Sequence, residues 1–374
     1  MKYLVRFKHL FLDHLRWFYY LTTNARHMMN MSRFRASTHV KPKKQIQAEL
    51  KALQEYWGCI PMQYYTHDFY SQDCDCSIED MKKYIPGYYF YYVIFPQYDD
   101  VKKITRLIEN KISMNVLFLK LGLPQPDIIF IKQSSVVSTF GGFVLGQSDI
   151  ASILNSCNSK KLFIKPVCGR GGKGILIAKR QLSGHFTVNN NLVDAEFIKS
   201  LSGDFVFEAF IQQSDFLMQV YPHSVNTLRA VTKRDITGTV SLIGVTLRMG
   251  IAGSEIDNGS AGGISIGLDI ESGLPLRPYA SYEFGMQRFY THPDSGFCFA
   301  ALKIPNWSAV KTSIIESATA LDHINLVGWD IAITDAGIVI IEVNTMFGLD
   351  HMQSAMGGLE SFFVSGNPKE QLYQ

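Results

Sequence analysis

The alternation of apolar and polar positions is clearest between residues 324 and 350, INLVGWDIAITDAGIVIIEVNTMFGLD. Two apolar runs, VGWDIAI and GIVIIEVN, flank the turn residues Thr334, Asp335, Ala336 and Gly337, which predicts a β-hairpin. Further strands are predicted at residues 128–131, 162–166, 175–178, 205–210, 227–232 and 240–248. The spacing predicts helices over 43–56, over 101–121 (closed by Gly122, with Pro124 and Pro126 beyond) and over 310–321. At the start of the chain, Leu4, Phe7, Phe11, Leu15 and Phe18 recur at helical spacing with basic residues between them, an amphipathic helix over 2–22. Residues 62–97 are dense in Tyr and Phe, broken by Pro86-Gly87, and show no period that assigns them. Short strands mixed with helices make the class α+β.

Composition adds two constraints. With 374 residues, 47% hydrophobic and 18% charged, the chain can bury a large core in more than one lobe. No run reaches the roughly 20 apolar residues that span a bilayer. Lys8, Asp13, His14 and Arg16 interrupt the first apolar patches, unlike a signal peptide. The six cysteines are scattered without a CxxC pair, and Cys74 and Cys76 are read as reduced thiols, so a cytoplasmic protein is expected. The net charge of +3 conceals an asymmetry: residues 1–44 hold ten Lys or Arg against Asp13 alone, and the remainder is net acidic. A basic amphipathic helix fits peripheral contact with the inner face of a membrane, or packing on the next domain. No nucleic-acid-binding motif accompanies it, and no nucleic-acid partner is expected.

The chemistry lies in the acids and glycines. Asp330 and Glu342 sit in otherwise apolar strands, where a carboxylate needs a cation or a hydrogen-bonding partner. Asn344, two residues after Glu342, shares its face, so the three offer hard oxygen ligands suited to Mg²⁺ on a nucleotide. The alternative is an edge hairpin whose acids point to solvent. Residues 165–174, KPVCGRGGKG, place glycines and cations in a turn between strands, where backbone N–H groups can approach phosphate oxygens. It is not a Walker A loop. Glu208 closes the strand FVFEAF, a place where a strand edge can meet an adenine, with Asp215 nearby for ribose hydroxyls. Arg229 and Arg248 lie on strands leading to the hairpin and can bind phosphate and carboxylate bidentately. NGSAGGISIG follows, with Asn258, Gly262 and Gly263.

In this order the motifs resemble the ATP-grasp superfamily, and GWDIAIT with IIEVNT resembles the metal hairpin of its D-alanine-D-alanine ligase and glutamate ligase branches. YPHSVNTLRAVT, NGSAGGISIGLDIESG and IPNW resemble more closely the sugar-transfer-associated ATP-grasp family, over about residues 100–360. The resemblance implies two α+β subdomains gripping ATP. It implies Lys111 and Lys165 as phosphate lysines, and Gly169, Arg170, Gly171, Gly172, Lys173 and Gly174 as the phosphate loop. Glu208 with Ala209, Phe210 and Ile211 would be the adenine hinge, and Asp215, or else Gln213, the ribose ligand. Asp330, Glu342 and Asn344 would hold Mg²⁺; Arg229, Arg248 and Lys165 would be catalytic; Asn258, Gly262 and Gly263 would meet substrate. The α/β domain that usually precedes this grasp is not recognisable in residues 1–100.

The division expected is a basic segment 1–44, a helical and aromatic region 45–110, and ATP-grasp subdomains 111–204 and 205–374. The activity implied is an ATP- and Mg²⁺-dependent carboxylate-amine ligase. It would form an amide through an acyl phosphate, with an amino acid and a sugar or sugar nucleotide as partners in polysaccharide biosynthesis. A kinase acting on a sugar hydroxyl and a non-catalytic nucleotide-binding scaffold are the competing readings.

Overall fold

The computed structural model describes residues 22, 24–98, 107–169, 174–257, 259, 262–285, 287–322 and 324–372. The amphipathic segment 2–22, apart from residue 22, lies outside them, as do Arg170, Gly171, Gly172, Lys173 and Asn258.

Among the described residues, two seven-stranded antiparallel sheets organise the fold. The first contains β1 (Ile128–Gln133), β2 (Val136–Ser138), β3 (Lys161–Pro166), β4 (Leu176–Arg180), β5 (Phe186–Val188), β6 (Asn191–Leu192) and β7 (Phe205–Ala209). Its order is β2-β1-β7-β3-β4-β5-β6. The second contains β8 (Thr227–Arg234), β9 (Val240–Met249), β10 (Ile264–Leu268), β11 (Ala280–Tyr282), β12 (Arg288–Phe289), β13 (Leu326–Thr334) and β14 (Gly337–Asn344), in the order β12-β11-β10-β9-β8-β13-β14. Strand β7 lies between β1 and β3, so the first sheet extends to residue 209, one strand past the boundary drawn at 204/205 from sequence.

Period-two alternation decides what each sheet face meets. In the second sheet Leu228, Ala230, Val245, Leu247, Trp329 and Ile331 pack in one core with Val310 and Ile314 of the helix Trp307–Ala320. The intervening positions, Arg229, Asp330 and Glu342, turn to the other face, where the site is built. Farther along that face Val231 joins a second core with Trp57, Tyr89, Phe90 and Phe347. The aromatic N-terminal region therefore covers one end of the site-bearing sheet. In the first sheet Leu162, Ile164 and Phe207 pack with Ile150 and Leu154 of the helix Gln147–Ser156.

The helix over 43–56 is present as Lys43–Trp57, ended by Gly58 at φ 71°. The helix predicted over 101–121 is different. Among its described residues it breaks at Asn110, whose extended backbone and side chain, accepting from Ser113 N–H, begin a new helix, Lys111–Leu121. The break lets Lys111 N–H donate to Val167 C=O at 3.0 Å, fastening this helix to the end of β3. Residues 62–97, unassigned from sequence, form short turns of helix: Gln63–Thr66, Ile78–Lys82, Gly87–Tyr89, Phe90–Ile94 and Phe95–Gln97. Among the described residues no helix is long and apolar enough to cross a membrane.

Candidate active site

Strand register aligns the charged residues. Arg229 faces Thr246 on one side and Asp330 on the other, and Asp330 faces Glu342 across the hairpin. Directly opposed residues share a face, so Arg229, Asp330 and Glu342 form one row across three strands. A bulge in β14 at Ile341 falls beside this row, between the pairs Asp330↔Glu342 and Ile331↔Ile340. One step along, Gly328 opposes Asn344.

Asp330 is the hub of the row. Arg229 donates from Nε to its Oδ1 at 2.6 Å and from Nη2 to its Oδ2 at 2.9 Å. Arg248 Nη1 donates to Oδ1 at 3.1 Å and Asn344 Nδ2 to Oδ2 at 3.4 Å. Burial works to raise the Asp330 pKa, but the Arg229 and Arg248 charges and the Arg229 hydrogen bonds outweigh it and hold the carboxyl at about 2. Glu342 is the opposite case. Among the described residues its carboxylate forms no ion pair or hydrogen bond. Burial and the Asp330 charge push its pKa up, against the pull of Lys111, Arg229 and Lys165.

The first sheet supplies the facing wall. Phe163, Lys165 and Glu208 share the surface opposite the Leu162 and Ile164 core positions, because Phe163 opposes Glu208 and Lys165 lies two residues on. Lys165 Nζ donates to Glu208 Oε2 at 2.5 Å, both side chains being buried. The Glu208 carboxylate thus sets the lysine rather than ending the strand unpaired. Lys111 Nζ reaches Gly169 C=O at 3.2 Å, and burial lowers its pKa. After β7, Ala209 N–H donates to Asp127 C=O, and Phe210 N–H to Lys161 C=O and Ser159 Oγ. The Ile211 N–H makes no hydrogen bond among the described residues.

Between the two walls lies a cavity of about 370 Å³, within the range of small-molecule sites. Phe163, Ile175, Ala209, Ile211 and Val225 line its apolar end; Lys165, Glu208, Arg229, Arg248, Asp330, Glu342 and Asn344 line its charged end, with Gly263 nearby. Asp215 is exposed at the first turn of the helix Asp215–Val220 and does not line the cavity. Gln213, the other ribose candidate, is buried and donates to the Tyr221 and Ser224 carbonyls. Gly262 is also off the lining, and Gly263 is packed so that a Cβ there would sit 2.6 Å from Asp257 O.

Further titratable residues line the cavity: Asp257, Glu283 and Glu255 carry no signal in the sequence, while His351, like His292, reads from sequence as a hydrogen-bonded structural histidine near the substrate loops. Asp257 accepts from Arg248 Nη2 at 3.3 Å and from Thr227 N–H at 3.1 Å. Buried Glu283 is paired to Arg26 of the helix Ala25–Ala36 at 2.9 Å. His351 lines the cavity with its Nε2 unpartnered, its pKa held well below the ordinary value by burial and by Arg229 and Arg248. Glu255 is gripped by Lys161 at 2.6 Å and Lys179 at 3.0 Å. Each is a lone acid or histidine in a loop or short segment, where no pattern marks it. His292, by contrast, is fully buried, bonded to Gly250 C=O at 2.9 Å and stacked on Tyr221, a structural histidine.

Two carboxylates and an amide on one face, one carboxylate lacking a cationic partner among the described residues, fit a hard divalent ion whose coordination is completed by phosphate and water. Two clefted walls, a lysine-rich side and an acid-and-arginine side fit a nucleotide triphosphate between them. The sugar-transfer associated ATP-grasp family matches residues 95–361, well over half of the chain. The chain belongs to this family. A search of curated proteins finds no match. Among solved structures, this ATP-grasp protein is similar to an N5-carboxyaminoimidazole ribonucleotide synthetase in complex with ADP (10% identity, 70% of this chain and 53% of that one, TM-score 0.38). It is also similar to the ATP-grasp ligase PsnB with a precursor variant, Mg and ADP (12%, 69% and 56%, 0.37). A third is the D-alanyl-alanine synthetase A of Vibrio cholerae (12%, 71% and 63%, 0.39). The chain spans between about half and just under two thirds of the length of each. The family assignment rests on the sequence match across residues 95–361 and not on these likenesses.

Proposed function

We propose that this protein is an ATP- and Mg²⁺-dependent carboxylate-amine ligase that forms an amide through an acyl phosphate. The observation that carries the reading is the row Arg229, Asp330, Glu342, with Arg248 and Asn344, facing Lys165 across a nucleotide-sized cavity. Asp330, Glu342 and Asn344 would hold Mg²⁺, which supplies charge neutralisation on the β- and γ-phosphates.

Lys165, oriented by Glu208, and Lys111, beside Gly169, bind phosphate oxygens. The apolar end holds adenine between Phe163, Ile175 and Val225, and the Ile211 N–H is the donor left for its edge. A substrate carboxylate oxygen attacks the γ-phosphorus, and the bond to the β-phosphate oxygen breaks to release ADP. Arg229 and Arg248 hold the resulting acyl phosphate. An amine nitrogen then attacks the acyl carbon, phosphate leaves with the C–O electron pair, and the amine loses a proton. Neither step needs a serine or cysteine nucleophile.

The family's association with sugar transfer supports a sugar as one partner, either a uronic acid amidated by an amino acid or an amino sugar acylated by one. The basic charge of residues 1–44 supports peripheral contact with an anionic membrane surface.

Hydroxylamine tests the reading as a surrogate amine. With Mg²⁺, ATP and a panel of amino acids and uronic acids, a hydroxamate forms from the carboxylate that is activated. Asp330→Ala forms none. ADP without hydroxamate points instead to phosphorylation of a hydroxyl, and AMP with pyrophosphate contradicts the ligase reading outright.

A further inference from the structure

Among the described residues, the N-terminal region reaches the candidate active-site cavity through one side chain, Arg26 of the helix Ala25–Ala36. It meets Glu283 at 2.9 Å, and both groups line the cavity. Ser265 opposes Arg248 on β9 and Ser281 on β11. Glu283, two residues past Ser281, therefore continues the face that carries Arg248, and the Arg248 and Arg229 charges act on it. No step assigned to ATP or Mg²⁺ uses the Arg26–Glu283 pair.

The pair is unequal. The Glu283 side chain is 5% exposed, deeper than Asp330 at 9%, whereas Arg26 keeps 47% of its surface. Arg26 also serves a second acid, Asp350. Burial raises the pKa of both carboxyls, Asp350 raises that of Glu283 further, and Arg26 is the principal cation opposing the rise in each. Two carboxylates on one half-exposed guanidinium leave a place for one more positive charge.

Two glycines keep the approach clear. A Cβ at Gly259 would stand 3.2 Å from Glu283 Oε2, and one at Gly348 would stand 3.3 Å from Arg26 Nη1. Neither glycine has the positive φ that would demand glycine, so what the missing side chain provides at each is access to the charged atom. Arg26 holds Oε1 of Glu283. Oε2 accepts no hydrogen bond among the described residues.

The charge pattern selects the ligand. A lone ammonium on Glu283 would sit beside the Arg26 guanidinium and be repelled by it. A lone carboxylate on Arg26 would sit beside Glu283 and in the field of Asp350. A molecule whose ammonium is on the carbon next to its carboxylate lies antiparallel on the ion pair and satisfies both ends.

We infer that Arg26 and Glu283 form the subsite for the amine partner, an α-amino acid bound as a zwitterion, its carboxylate on Arg26 and its ammonium on Glu283 Oε2. The inference rests on the ligase reading and orients it: the amino acid is the nucleophile, and the carboxylate that is phosphorylated belongs to the other partner.

Titration calorimetry of the full chain with saturating Mg²⁺ and ADP, against the common L-amino acids in turn, tests this. At least one binds, and its N-acetyl derivative and its carboxamide each bind roughly tenfold or more weaker, a comparison that needs no variant. Arg26→Gln weakens the free amino acid about tenfold and leaves the carboxamide as it was, because the carboxamide lacks the group that Arg26 holds. Glu283→Gln does the same with the N-acetyl derivative. Offered with ATP and hydroxylamine, the amino acid that binds yields no hydroxamate of its own. Three results overturn the subsite: no amino acid binding, either blocked form binding as tightly as the free one, or a hydroxamate formed from the amino acid that binds. The ligase reading is judged separately, by hydroxamate from any carboxylate, so the two can fail independently.

Discussion

Arg229 and Asp330 oppose one another on adjacent strands and are joined by two hydrogen bonds, at 2.6 and 2.9 Å, with both side chains about nine-tenths buried. Breaking such a pair on one side typically costs about 3–5 kcal/mol where the remaining charge is left unpaired, and here Asp330 keeps Arg248 at 3.1 Å. Arg229→Met is expected to lose stability toward the lower end of that scale in urea denaturation. Arg229→Lys retains the charge but not the fork, and is expected to fall between wild type and Arg229→Met.

Glu342 predicts the reverse. Burial and Asp330 already oppose its charge, so Glu342→Gln is expected to melt no lower than wild type without ligand. It is also expected to lose the rise in melting temperature that Mg²⁺ with ATP gives the wild type. A variant that melts lower without ligand, yet keeps the full rise, removes Glu342 from the metal site.

Much of this hairpin was legible because the signals agree. Alternation marks the strands, Thr334 to Gly337 mark the turn, and an acid inside each apolar run stands out. The bulge at Ile341 was not legible, and it affects which residues oppose one another past Asp330. Lys165 and Glu208 were each noticed, but their ion pair depends on β7 inserting beside β3, a long-range pairing absent from local pattern. Residues 62–97 resisted assignment because their helices are three to five residues long, too short to display a period, and aromatic residues fill buried and exposed positions alike, as Tyr89 and Tyr92 do. Glu283, Asp257 and His351 come together only through tertiary packing. The expected ribose ligand, Asp215, follows a plausible strand-end logic, yet Ser214 caps the next helix and leaves Asp215 exposed.

Gly328 leaves room that Phe347 fills. A Cβ at Gly328 would stand 2.9 Å from the Phe347 ring, which lines the first cavity and packs on Phe90 and Phe95. Gly328→Ala is expected to cost roughly 1–3 kcal/mol by overpacking and to weaken nucleotide binding. Phe347→Leu in the same chain is expected to recover part of the stability, measured by a double-mutant cycle.

Asp350 gives a pH-dependent prediction. Burial raises its pKa above the ordinary value, with Arg26 only partly opposing. A carboxyl raised in the folded state contributes stability below its unfolded pKa and loses it as pH rises through the folded value. Asp350→Asn is therefore expected to melt higher than wild type at pH 8, with the difference shrinking as pH falls toward 4. A difference independent of pH contradicts this.

The transfer of oxygen tests the central claim most directly. With the activated carboxylate labelled with ¹⁸O and its amine partner supplied, the acyl-phosphate route carries one labelled oxygen into the inorganic phosphate released beside ADP. Amide formed while the inorganic phosphate carries no label, or label appearing in AMP, contradicts it.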